Sequence, residues 1–179
     1  MIEDLSKYKE QNQATLASKG YRGLNLFGKV KFTQILLQNN KIGLALKYYQ
    51  LAVEQCLIQD KKIIALDIYT KIGQAQLKQG NFLLAEKTFE AINELKKTTE
   101  FDGPRFVIFS AQMQQYMGNP ESSINNLQYF EAHFLNEQFK SQDLVIYKDV
   151  ANLYSSLNLP KKASEFYLKW GTLKDSLHA

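Results

Sequence analysis

At 179 residues, 45% of them apolar, the chain is long enough for one domain with a continuous core. Its formal net charge of +4 and pI near 9.0 come almost wholly from scattered lysines, with Arg22 and Arg105 the only arginines, so the bidentate phosphate and base readout of a nucleic-acid-binding protein is not expected. The lone Cys56 excludes an intramolecular disulfide and a cysteine-based zinc site, and no apolar run reaches the roughly eighteen residues of a membrane helix, so no membrane contact by this chain itself is expected.

Three prolines, frequent Leu, Ala, Lys and Gln, and no run of alternating β-branched residues point to an all-α fold. Residues 1–22 read as one unit. Ile2, Leu5, Tyr8 and Leu16 give a helix over 1–19, closed by Gly20, which ends a preceding repeat or caps the first complete one. The opening MIEDLSKYKEQNQ is charged and amphipathic, so no export signal is read in it.

Residues 23–179 read as four helical hairpins in one solenoid domain. In the first, a helix over 24–38 carries Phe27, Val30, Phe32, Ile35, Leu36 and Leu37 and stops at Asn39-Asn40. A second helix over 42–58 carries Leu44, Ala45, Tyr48, Tyr49 and Ala52, with Cys56 expected to be buried near its end. The second hairpin, 65–97, has the clearest spacing: Tyr69, Ile72 and Gly73, a break at Gly80-Asn81, then Phe82, Ala85, Phe89 and Ile92. Gly73 and Ala85 are expected to bring its two helices close, with Tyr69, Phe82 and Phe89 filling the space around them. The third hairpin is the least regular, with Ser110 and Ser123 at repeat positions and the break FDGPRF ahead of it.

Aligned on the small residue of each second helix, Ala45, Ala85, Ser123 and Ala163 follow one another at 40, 38 and 40 residues. Four positions on stand Tyr49, Phe89, Leu127 and Tyr167. The turns Asn39-Asn40, Gly80-Asn81, Gly118-Asn119-Pro120 and Asn158-Leu159-Pro160 all offer residues tolerant of left-handed backbone, two of them followed by a proline suited to a helix start.

Tyr69, Ile72, Gly73, Gly80, Phe82, Ala85 and Phe89, with Tyr147, Val150, Ala151, Tyr154, Ala163 and Tyr167, resemble the tetratricopeptide repeat (TPR) signature, in units about one turn longer than the usual 34 residues. The resemblance implies a right-handed superhelical solenoid that binds a protein or peptide segment in its concave groove. More narrowly, LYSSLNLPKKASEFYLKWGTLKDSL resembles the end of the TPR array in bacterial two-component sensor histidine kinases, which implies the sensory or regulatory region of a signal-transduction protein. Alternatives of the same fold are an intracellular peptide-pheromone receptor and a structural scaffold that self-associates as a homo-oligomer. The compartment is periplasmic for the sensory region of a membrane kinase and cytoplasmic otherwise.

No catalytic constellation is read. His133 and His178 have no partner at metal-ligand spacing, and glycine-rich phosphate loops, GxSxG and HExxH are missing, so neither enzyme activity nor a cofactor or metal is implied. His133 reads as a surface or packing residue.

In TPR arrays the first helix of each hairpin lines the groove, so equivalent first-helix residues form rows. One row is Gln34, Gln74, Gln112 and Asn152, each eleven residues before the aligned small residue. An amide offers donors and an acceptor, which suits an extended peptide backbone of any sequence. Phe27, Val30 and Leu37 are expected to make the first end of this groove apolar. Lys78, Arg105 and Lys148, opposed by Asp67, are expected to make its middle and far end basic, favouring a peptide with hydrophobic and acidic groups. Val30 and Thr70 stand where the chaperone carboxylate clamp has a basic residue, so a cochaperone role is not expected.

Overall fold

The computed structural model describes residues 24–39, 41–135 and 144–176; the expected first helix and residues 1–22 lie outside them. Eight helices are present among the described residues: α1 (Leu26–Gln38), α2 (Ile42–Ile58), α3 (Lys62–Lys78), α4 (Phe82–Lys96), α5 (Pro104–Tyr116), α6 (Pro120–Phe134), α7 (Leu144–Ser156) and α8 (Pro160–Ser176). They pair as the four expected hairpins. Asn25 caps α1, its Oδ1 accepting the Gly28 N–H at 2.9 Å, and α5, α6 and α8 each begin on a proline, whose missing N–H costs nothing in a first turn.

One turn is used five times. The N–H of Lys41, Lys61, Asn81, Asn119 and Leu159 donates to the carbonyl five residues back, at 2.8 to 3.0 Å. The same residue's carbonyl accepts the N–H of Ala45, Ala65, Ala85, Ser123 or Ala163. Asp60, Gly80, Gly118 and Asn158 supply the left-handed residue, with φ of 51°, 73°, 78° and 57°. The expected intra-hairpin turns are therefore present, but the link between the first and second hairpins is the same device. Ala65 is the counterpart of Ala45 and Ala85, and through α1 to α4 the repeating unit is a single helix of 20 residues with its turn.

This shared turn makes the junctions unequal. α2 packs along α3 as closely as a hairpin partner, whereas after the longer connection at 97–103 the contact passes between first helices, α3 beside α5 and α5 beside α7. Each junction has its own apolar cluster. Tyr49, Ala52, Val53, Cys56, Ala65 and Ile68 join the first two hairpins, and Cys56 is buried as expected. Leu66, Phe89, Ile92, Phe106, Phe109 and Met113 join the second and third, and Ile108, Phe130, Ile146, Val150, Tyr154 and Phe166 are among those that join the third and fourth. Glu131 of α6 reinforces that last junction, accepting from the Tyr154 hydroxyl of α7 and from Lys162 of α8 at 2.6 Å.

Gly73 does something other than expected. A Cβ there would lie 2.2 Å from Cζ of Phe109, so its bare backbone makes room for a ring of the next hairpin rather than for α4. Phe109 is fully buried and meets Phe89 edge-on at 5.7 Å, which makes Gly73, Phe89 and Phe109 one contact between repeats. Phe82 is not a filler of the second hairpin either. It is half exposed and stacks on Tyr116 of α5 at 4.6 Å. Ser110 and Ser123 are accommodated by polar bonds across the third hairpin: the Ser123 hydroxyl donates to the Ala111 carbonyl at 2.8 Å, and the Asn126 amide donates to the Ser110 hydroxyl at 3.1 Å.

Two outcomes test this packing. Phe89→Ala should cost about 3 to 5 kcal/mol in urea unfolding, and amide exchange should quicken in α3 and α5 as well as α4, because neighbours stabilise one another in a solenoid. Gly73→Ala should cost about 1 to 3 kcal/mol, since the clash with the enclosed Phe109 ring outweighs the better helix propensity of alanine.

Candidate functional site

The helices α3, α5 and α7 lie side by side, α3 against α5 and α5 against α7. Gln74 is buried on α3 and points its amide N–H at the Arg105 carbonyl, 3.5 Å away. Gln112 on α5 is half-buried, and its Oε1 is enclosed with no hydrogen-bond partner among the described residues. Asn152 on α7 is exposed and its Oδ1 accepts the Tyr167 hydroxyl at 2.6 Å. Gln112 and Asn152 line one cleft, while Gln74 reaches the start of α5 at Arg105. Gln34 is half-buried on α1, and α1 lacks the side-by-side contact with α3 that α3 makes with α5. The tight α2–α3 turn is the cause, since it seats α2 rather than α1 against α3.

The expected apolar end is not assembled as a groove wall. Val30 and Leu37 pack into the cluster of the first junction, and only Phe27, 76% exposed, projects to solvent. Thr70, at the position where a clamp residue would stand, is buried and donates to the Leu66 carbonyl.

The basic residues do converge, but around a carboxylate that the sequence reading passed over. Asp149 on α7 has a side chain only 15% exposed, with Lys78 Nζ 3.7 Å from its Oδ2. Burial raises the Asp149 pKa above the ordinary carboxylate value, and Lys78, Arg105 and Lys148 act against that rise. Lys148 itself is exposed and lies over the Trp170 ring of α8, 5.2 Å from its centre. On the other side of Arg105, the buried Tyr49 hydroxyl has no partner among the described residues, and burial and Asp67 raise its pKa while Arg105 opposes them. Asp67 is bound to Lys71 at 2.6 Å. Gln112, Asp149, Asn152, Leu153 and Ser156 line a shallow cleft of about 180 Å³. Asp149 could have been found by its spacing: it precedes Asn152 by three residues, one helical turn from the amide row.

Elsewhere, His133 is exposed, stacks on Tyr129 at 4.0 Å and bonds the Tyr129 carbonyl at 2.9 Å, the packing role expected of it. Among the described residues no group of three His, Cys, Asp or Glu side chains is placed to hold a metal ion, and no helix is long and apolar enough to cross a membrane.

The Asp149 environment has a testable consequence for stability. A carboxyl whose folded pKa is raised contributes stability that is fully present below its unfolded pKa and lost as pH rises through the folded value. Asp149→Asn should therefore raise the urea midpoint at about pH 7 and make little difference at about pH 3, where the carboxyl is protonated in both states.

No family model matches the chain, and no curated protein sequence matches it. Solved structures do. Nearly identical TPR-like repeats of a candidate kinesin light chain from Podosopora anserina align with a TM-score of 0.50 at 12% identity, covering 98% of this chain and 93% of that one. A point variant of the same repeats aligns with a TM-score of 0.53 at the same identity and coverage. The fold is accordingly an all-α, TPR-like solenoid, as the spacing of the repeats implied.

Proposed function

We propose that this chain is a protein-interaction module that holds an extended peptide segment along the inner face of α3, α5 and α7, and that it acts by binding rather than by catalysis. The supporting observation is the cleft between α5 and α7, where Gln112 and Asn152 stand beside Asp149, which Lys78 of α3 reaches at 3.7 Å. Amide groups there suit the donors and acceptors of an extended peptide backbone. The cations make the face attractive to acidic segments. The narrower placement, in the sensory or regulatory part of a bacterial signalling protein, rests on the sequence resemblance of residues 153–177, and the choice of compartment follows from it.

Alanine at Gln34, Gln74, Gln112 and Asn152, singly and together, tests the face against a panel of extended peptides. Affinity should fall by about 0.5 to 1.5 kcal/mol for each of Gln74, Gln112 and Asn152, similarly for most peptides, while Gln34→Ala has less effect. Undiminished binding by a folded multiple variant would move the contact to the helix ends, where Ile58, Ile63 and Ile64 stand exposed at the α2–α3 turn.

A further inference from the structure

Lys78 and Asp149 belong to the second and fourth hairpins, and α5 of the third lies between them. Their ion pair at 3.7 Å therefore crosses the inner face of α5, on the side where Gln112 and Asp149 line one cleft. An extended segment running along the face would meet this pair. Asp149 also does not sit where a carboxylate is comfortable. It is largely withdrawn from water, and only the cations of α3 and α5, with Lys148 on its own helix, compensate.

From this geometry, and resting on the peptide-binding reading above, we propose that Asp149 is the specificity-determining residue of the face: its carboxylate occupies Lys78 in place of a ligand's acid, and an acidic residue of an extended peptide binds by displacing it. Several consequences follow. A neutral peptide gains the amide row but leaves the Lys78–Asp149 pair intact, so it is indifferent to Asp149. An acidic peptide brings a second carboxylate against Asp149 and must overcome that repulsion, so it is bound only where its own acid engages Lys78 better than the constrained Asp149 does. A basic side chain meets three cations around one carboxylate and is rejected. Asp149 thus penalises acidic segments relative to neutral ones, and only an acid that engages Lys78 better than Asp149 does overcomes that penalty.

The test uses the full chain and two fluorescent decapeptides, one of alternating glutamate and alanine and one of alternating glutamine and alanine. Asp149→Asn should bind the glutamate peptide about tenfold more tightly than the native chain and the glutamine peptide equally. In the native chain the Lys78 ε-carbon resonance should move on addition of the glutamate peptide and stay in place with the glutamine peptide. Equal affinity of native and variant chains for the glutamate peptide, with an unmoved Lys78 resonance, would overturn the displacement while leaving the peptide-binding face standing. Failure of either folded form to bind either peptide would remove the face and this inference together.

Discussion

A helical hairpin hides one side of each helix and exposes the other, so no repeat in this chain is complete until its neighbour covers it. The contact that meets this need most directly is the Phe109 ring seated over the bare backbone of Gly73 and edge-on to Phe89. It draws α5 against α3 and sets first helices side by side, and the same relation continues from α5 to α7. The polar face depends on it. The Gln74 contact with the Arg105 carbonyl and the Lys78–Asp149 pair both span the helices that this contact seats together.

The first junction shows what happens when a different constraint governs. There the left-handed Asp60 closes a turn as short as those inside the hairpins, and α2 is carried straight back along α3. Val30 and Leu37 of α1 then pack into the first-junction cluster, while Phe27 and Ile35 stay exposed. A loop of three residues against one of seven decides whether first helices adjoin or alternate with second helices. The electrostatics are local in the same sense. Lysines on exposed helix faces are well solvated and weakly coupled, but Lys78, Arg105 and Lys148 gather about a carboxylate withdrawn from water, where each charge matters more than the net charge of the chain.

Much of this was open to reading. Helical spacing gave α2 its limits at Ile42–Ile58, the glycine and asparagine turns placed the hairpins, and the small residues Ala45, Ala85, Ser123 and Ala163 marked the repeat, because each of these is dictated by backbone geometry within a few residues. Of the amide row, Gln112 and Asn152 line one cleft, but spacing along the chain does not say which helices adjoin, and α2 rather than α1 packs along α3. Asp149 stands one helical turn before Asn152, but its importance rests on its burial and on Lys78, 71 residues away, which spacing along the chain does not show.

The amino-acid sequence by itself determined an all-helical chain, its turns, its repeat and the buried stripe of each helix, since these follow from local backbone preference and from the period of apolar residues. Only the tertiary structure decided that Gly73 serves the following hairpin and that Lys78 of the second hairpin pairs with a carboxylate of the fourth. Those features arise from contacts 36 and 71 positions apart, from Gly73 to Phe109 and from Lys78 to Asp149, and no local preference specifies them.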